Sequence, residues 1–338
     1  MNLRIKNLQR KIVSEKMDGF ISFNPSNIFY LTGFRAENSF VFVSRKDIYL
    51  VVSELSYPSA EKYANCKIQI ASDSFLKKYK NKKIGFDNWI SVARLEKLKK
   101  IKGVKFESCS NFIEDIRLIK DQSEIKKIKT ACKISKKAIE YAEKKLKIGI
   151  AEKELADELE YFLRKSGAEK SAFDIIVASS DNAADPHHKP TNRKIRKNDV
   201  VLIDLGCVYD GYNSDLTRTF FLGKINKYAE NIFKVVNEAQ KKAINVIKDG
   251  ASCKEVDFAA RNFIIKNGFG KYFIHGTGHG VGIDIHEEPS VSAKSKTVLK
   301  AGMVVTVEPG IYIPDRFGVR IEDTVLVKKS GCEVLTKW

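Results

Sequence analysis

The chain has 338 residues, of which 43% are hydrophobic and 30% charged, enough to bury a full core and to build two domains. Its apolar runs are strand-length, far short of the ~18–20 residues a membrane span needs, and the N-terminal stretch Met1–Phe20 lacks the apolar segment of a secretion signal. The formal net charge of +18 raises nucleic acid as a partner, but its lysines are dispersed and no zinc-finger, helix-turn-helix or RNP-like pattern gathers them. Neither a specific nucleic-acid partner nor a membrane is therefore expected. Six cysteines (Cys66, Cys109, Cys132, Cys207, Cys253, Cys332) are scattered without a C-x-x-C pair, as expected of reduced thiols in a cytoplasmic protein.

Residues 1 to about 115 alternate short strands and helices. Strand-like runs occur at Phe20–Phe23, Phe40–Val43, Ile48–Val52, Lys67–Ile70 and Ile84–Phe86, with helical stretches at Ser56–Ala64 and Val92–Ile101. This predicts a small α/β domain, and it contains no histidine. The pattern changes near Asp115–Asp121, and the boundary is placed at residue 118, giving domains 1–118 and 119–338. A long amphipathic helix is predicted over Ser123–Lys147, ended by Gly149, and a second over Glu152–Ser166, ended by Gly167. Phe173–Ser179 is strand-like, and Asp181–Lys189 is a polar loop. A hairpin follows, then a second helix pair, Lys227–Lys248 and Cys253–Asn267, then strand-rich segments Phe273–His286 and Met303–Val327. A helix pair followed by a β-unit, twice over, predicts an α+β domain of two similar halves.

The hairpin Val200–Phe221 carries the first chemical signal. Asp210-Gly211 favours a two-residue type I′ turn, and counting outward places Asp204 opposite Thr217 and Gly206 opposite Asp215. Side chains alternate with period two, so Asp204 and Asp215 share one face as diagonal neighbours. Two carboxylates that close on a mostly buried hairpin repel each other and lose hydration, which calls for a cation.

All five histidines fall in the second domain: His187, His188, His275, His279 and His286. The last three stand in a glycine-rich segment, where the backbone can approach a ligand or metal closely. Glu308 and Glu322 each lie in an apolar strand-like run. They face each other if the loop near Pro314–Phe317 has an odd number of residues, and lie on opposite faces if it has two. A buried Glu–Arg pair using Arg320 is the alternative for that segment. Asp204, Asp215, His279, Glu308 and Glu322 together supply four carboxylates and an imidazole, a donor set suited to two divalent ions of Mn2+, Fe2+ or Co2+ type, with Zn2+ also compatible. Two such ions lower the pKa of a shared water and clamp a tetrahedral intermediate, which is the chemistry of hydrolysis.

These motifs resemble, in order and nearly end to end, the "pita-bread" metallopeptidases: Xaa-Pro aminopeptidase, Xaa-Pro dipeptidase (prolidase) and methionine aminopeptidase. Asn27–Phe34 is similar to the creatinase/prolidase-type N-terminal domain. Asp204-x10-Asp215 with Thr217-Arg218-Thr219, Gly276–Gly280, His286-Glu287-Glu288-Pro289, Val307–Tyr312 and Arg320-Ile321-Glu322-Asp323 are similar to the catalytic domain. The resemblance implies an α/β N-terminal domain joined to an α+β pita-bread catalytic domain. It also implies Asp204, Asp215, His279, Glu308 and Glu322 as metal ligands, with Asp215 and Glu322 bridging two ions, most often Mn2+. Glu308 matches the residue that takes the proton from the attacking water. His187, His275 and His286 match histidines that contact substrate or stabilise the intermediate, and Arg320 an arginine of the Xaa-Pro branch. His188 has no counterpart and is expected to be a plain loop residue.

Three stretches depart from the family pattern: Arg35-Ala36-Glu37-Asn38, Ser53–Tyr57, and Asp185 before Pro186. They leave the metal ligands intact. The front domain and the Arg320–Asp323 segment point to the Xaa-Pro enzymes rather than methionine aminopeptidase. The leading expectation is a homodimeric Xaa-Pro aminopeptidase acting on peptides with proline in second position. The alternative is an Xaa-Pro dipeptidase, which demands a free carboxylate on that proline. A metal-free binding protein on the same fold is disfavoured by the intact ligand set.

Overall fold

The computed structural model describes residues 3–35, 37–72, 74–224 and 226–338, so Ala36 of the departing turn lies outside the described residues. The chain divides into two compact units, Met1–Arg117 and Leu118–Trp338.

The first unit contains helices α1 (Leu3–Ser14), α2 (Pro25–Thr32), α3 (Tyr57–Tyr63), α4 (Val92–Lys99) and α5 (Glu114–Arg117). Its six strands are β1 (Gly19–Ser22), β2 (Phe40–Ser44), β3 (Ile48–Val52), β4 (Lys67–Ile70), β5 (Lys83–Phe86) and β6 (Lys105–Ser108), in the order β4-β3-β2-β1-β5-β6. Strand β1 is central and wholly buried, pairing antiparallel to β2 and parallel to β5. The short helix α2 has local signals at both ends: the Asn24 side chain accepts from Ser26 N–H, Pro25 opens the helix, and Gly33 closes it at φ 73°. Two elements, β6 and α5, were not expected from the sequence. Strand β6 is a half-exposed edge strand of four residues, too short to show a clear period.

The second unit opens with α6 (Gln122–Lys145) and α7 (Glu152–Lys165), followed by β7 (Lys170–Ser171) and β8 (Ile176–Ser179). The hairpin strands come next: β9 (Val200–Leu205), β10 (Cys207–Tyr209), β11 (Tyr212–Asn213) and β12 (Leu216–Phe221). Helices α8 (Lys227–Val246) and α9 (Cys253–Lys266) repeat the pair. The chain ends with β13 (Gly278–Gly280), β14 (Glu287–Val291), β15 (Val304–Val307), β16 (Gly310–Ile313), β17 (Phe317–Arg320), β18 (Asp323–Val327) and β19 (Cys332–Val334). Helix α6 is fixed at its start by a reciprocal capping box of Asp121 and Glu124, and it ends at Lys145, before Gly149. Only part of Phe273–His286 is strand. Its glycines break the ladder, leaving β13 as three residues that bridge β14 and β15.

Each half buries its own helix pair against its own hairpin. In the first, Ala131, Ala138 and Ala142 of α6 meet Leu155, Leu159 and Leu163 of α7 over Val201, Ile203 and Leu216. In the second, Ile232, Val236 and Ala243 of α8 meet Val256, Ala260 and Ile264 of α9 over Val305, Val307 and Val325. Small residues on the first helix let the second come close, and each buried aliphatic side chain contributes about 1.5–3 kcal/mol. Among the described residues no helix is long and apolar enough to cross a membrane, and all six cysteines are free.

Candidate metal centre and cleft

The two hairpins share a design: each ladder is interrupted where carboxylates must turn inward. In the first, Asp210 (φ 47°) and Gly211 (φ 77°) make the type I′ turn, and Tyr209 pairs with Tyr212. The ladder lapses at Gly206 and Ser214–Asp215, then resumes with Leu205 opposite Leu216 and Asp204 opposite Thr217. A Cβ on Gly206 would lie 2.0 Å from the Ser214 carbonyl oxygen, so only glycine fits this crossing. The second hairpin turns through three residues, Pro314–Arg316, so the odd-loop condition is met. Its register runs Gly310 opposite Arg320 and Val307 opposite Asp323, leaving Glu308 and Glu322 at the same level in the gap between. Pro309 has no N–H to continue the ladder there.

Side-chain and backbone bonds stitch the hairpins side by side. Glu322 N–H donates to Thr217 O (3.1 Å), Thr324 Oγ1 donates to Asp215 O (2.8 Å), and Thr217 Oγ1 donates to Glu322 Oε2 (2.7 Å). Asp204, Asp215 and Glu322 are thereby buried in one place, at 8%, 5% and 1% exposure. One ligand atom each of Asp215, His279 and Glu322 lies within 4.8 Å of the others. His279 Nδ1 faces Gly280 O (3.1 Å), which sets the tautomer and leaves Nε2 towards Glu308 Oε1 (3.3 Å) and Asp215 Oδ2 (3.6 Å). All five expected ligands thus line a single cleft of about 630 Å3, together with His187, His275, His286 and Arg320.

The electrostatics show what this cluster calls for. Burial, then the charges of its neighbours, pushes Asp215 and Glu322 well above the usual carboxylate range; burial also raises Asp204 despite the Arg320 guanidinium. Burial opposes ionisation of Glu308 as well, but the hydrogen bond and charge of His279 outweigh it and hold the carboxyl at about 2. His279 rises correspondingly, the Glu308 bond outweighing the opposing effect of burial. Asp204 Oδ1 and Glu322 Oε1 are buried side-chain oxygens without a hydrogen-bond partner. Buried acceptors with no donor and mutually repelling carboxyls fit divalent cations: four hard carboxylates with one borderline imidazole form a donor set suited to Mn2+, Fe2+ and Co2+.

Around the cluster runs a polar chain. Arg320 Nη2 donates to Asp204 Oδ2 (2.6 Å) and Arg320 Nη1 to Tyr312 Oη (2.7 Å), and Tyr312 Oη lies 2.9 Å from His275 Nε2. His275 Nδ1 faces Gly276 O at 2.7 Å, so Nε2 accepts from the tyrosine and the ring is neutral, with burial lowering its pKa. The arginine's partner is therefore an aspartate of the other hairpin, not a glutamate of its own, and each of its three nitrogens makes at least one hydrogen bond. The His286 ring meets that of His279 with centroids 4.4 Å apart, and its pKa is lowered by desolvation and by that neighbour. His187 is exposed at the cleft, its N–H held by Asp185 Oδ1 (2.9 Å).

Two buried carboxylates behind the cleft were not singled out from the sequence. Glu152, at the start of α7 and 0% exposed, accepts from Ser179 N–H and Oγ, Asn182 Nδ2, His188 Nε2 and Thr191 N–H and Oγ1. His188 is thus not a plain loop residue: at 3.0 Å from Glu152 it anchors the loop that presents His187. Asp257 of α9 does the same in the other half, accepting from Thr277 N–H and Oγ1 and from Arg261, which in turn donates to His275 O. The only signal in the sequence was, for Glu152, an acidic residue in a first helical turn, which is commonplace, and Asp257 lies beyond that turn of its helix.

The profile of metallopeptidase family M24 matches residues 126–329, and that of the Creatinase/Prolidase N-terminal domain matches residues 4–119. An Xaa-Pro dipeptidase of Pyrococcus horikoshii is 40% identical, covering 100% of this chain and 97% of the relative. The solved prolidase of Pyrococcus furiosus superposes with a TM-score of 0.92 at 39% identity, covering 98% of this chain and 99% of that one. A solved X-Pro aminopeptidase of Thermotoga maritima gives 0.90 at 33%, covering 97% and 98%. The dipeptidases are the more similar, which corrects the expectation that put the aminopeptidase first. With its creatinase-type front domain, its pita-bread catalytic domain and both profiles in place, the chain belongs to metallopeptidase family M24.

Proposed function

We propose that this chain is an Xaa-Pro dipeptidase using two divalent ions, Mn2+ foremost, held by Asp204, Asp215, His279, Glu308 and Glu322. The observation that carries the reading is full-length similarity to Xaa-Pro dipeptidases combined with a buried four-carboxylate, one-imidazole cluster in one cleft. The ions would supply Lewis acidity to the scissile carbonyl and lower the pKa of the attacking water. The protein's own side chains do the rest. Glu308, more exposed than the other carboxylates and held ionised by His279, takes the proton and returns it to the prolyl nitrogen. His187 and His286 at the cleft wall bind the developing oxyanion and the substrate, while neutral His275, with both nitrogens engaged by Gly276 and Tyr312, contacts the substrate as part of the wall.

The test is an assay of Mn2+-loaded enzyme on an Xaa-Pro dipeptide and on the matching Xaa-Pro-Xaa tripeptide. The dipeptide should be the better substrate by roughly tenfold or more in kcat/KM, a difference of at least ~1.4 kcal/mol. A chelator should abolish hydrolysis, and Asp215→Asn should be inactive. Equal or faster cleavage of the tripeptide would restore the aminopeptidase reading.

A further inference from the structure

We propose that Lys189 receives the free carboxylate of the dipeptide and thereby separates dipeptides from longer peptides; the assignment rests on the dipeptidase reading above. A dipeptide ending in proline differs from a longer peptide in one charged group, the carboxylate on the prolyl ring. Taking that charge out of water into the cleft is costly unless a positive charge not already paired meets it.

The cleft offers two permanently charged cations, Lys189 and Arg320. Arg320 is buried and spent on Asp204 and Tyr312, with further bonds to Thr217 Oγ1 and Pro186 O. His275 is neutral and engaged at both nitrogens. Lys189 is exposed, lines the cleft beside Asp174, and forms no hydrogen bond, ion pair or cation–π contact among the described residues.

Its backbone is held while its side chain is not. His188 before it and Thr191 two residues after it bond the same buried Glu152 carboxylate, and His188 N–H donates to Asp185 O (3.2 Å). Pro190 between them fixes its own φ. A flexible four-carbon stem on a pinned loop lets the ammonium reach an anion in the cleft without moving the loop that carries His187.

The experiment compares an Xaa-Pro dipeptide with the same dipeptide as its C-terminal amide, which replaces one carboxylate oxygen by NH2 and so removes the charge at nearly the same shape. Mn2+-loaded wild type, Lys189→Ala, Lys189→Arg and Lys194→Ala are assayed. Lys194 is an exposed lysine outside the cleft, paired to Glu154, and controls for net charge. Wild type should prefer the acid, and Lys189→Ala should cut the acid-to-amide ratio of kcat/KM about tenfold, through KM for the acid. Lys189→Arg should restore the ratio and Lys194→Ala should leave it intact. Added salt should erode the wild-type ratio and leave that of Lys189→Ala nearly flat, because the pair is exposed. A wild-type ratio retained in Lys189→Ala overturns the assignment. A wild type with no preference for the acid overturns the dipeptidase reading itself, and the wild-type data alone identify that case.

Discussion

Glu152→Gln tests whether one buried carboxylate holds the His187 loop. Glu152 Oε1 takes Ser179 N–H (2.8 Å) and Oγ (2.6 Å), and Oε2 takes Thr191 N–H (3.2 Å) and Oγ1 (2.8 Å) with His188 Nε2 (3.0 Å). The amide oxygen of glutamine can keep the Ser179 side. Its NH2 then faces His188, which can change tautomer and accept, and the Thr191 hydroxyl, which can rotate. The Thr191 N–H cannot adapt, and a buried donor left without an acceptor costs about 1–3 kcal/mol. Losing the charge on the two Ser179 bonds that the amide oxygen keeps costs about 1 kcal/mol each. The sum is roughly 3–5 kcal/mol, on the order of 10 °C in Tm for a unit of this size. The metal ligands lie on other strands, so Mn2+ uptake should survive while kcat/KM falls about tenfold as the loop loosens. Burial opposes ionisation of Glu152, but its hydrogen bonds outweigh it and lower its pKa from the ordinary 4.5. The wild-type advantage is therefore fully present above that value and is lost as pH falls through the lower folded one. A variant melting within ~2 °C of wild type at neutral pH, with unchanged kinetics, would refute the anchoring role.

Two other perturbations probe the cluster itself. Gly206→Ala puts a Cβ against the Ser214 carbonyl, which is backbone and cannot swing away; it should cost about 3 kcal/mol or more and weaken Mn2+ uptake, because the crossing spaces Asp204 and Asp215. Calorimetry showing unchanged uptake and an unchanged melt would contradict this. In the metal-free protein, the raised pKa values of Asp215 and Glu322 mean their contribution to stability is complete below the ordinary 3.8 and 4.5 and is lost as pH rises through the folded values. Ion binding needs both ionised, so the stabilisation gained on adding Mn2+ should grow as pH rises above the ordinary carboxylate range, reaching about 2.7 kcal/mol per site at a hundredfold excess over Kd. A gain that is flat or shrinks with pH would count against ligation by these carboxylates.

What the sequence determined is what lies within one element or one hairpin. The i, i+3, i+4 stripes place both helix pairs, and the Asp210-Gly211 turn carries a single register through to Asp204 and Thr217, even across the gap at Gly206. The same counting puts Glu308 level with Glu322 once the turn is seen to hold three residues, a number the sequence left open. Short, weakly periodic pieces were not legible: β6 and α5 have too few residues for a period, and glycines reduce Phe273–His286 to a three-residue strand. The similarity to dipeptidases, rather than the motifs, moved the substrate reading away from the aminopeptidase.

Only the tertiary structure decided which groups meet across elements. Arg320 reaches Asp204 on the neighbouring hairpin, His188 reaches Glu152 on a helix, and Asp257 holds the segment of His275 through Thr277 and Arg261. Alternation says which face a side chain takes, but a partner on another element depends on how two faces pack, which no local period encodes. Turn chemistry brought Asp204 and Asp215 together; packing the second hairpin against the first joined them to His279 and Glu322 in a cleft that Lys189 also lines.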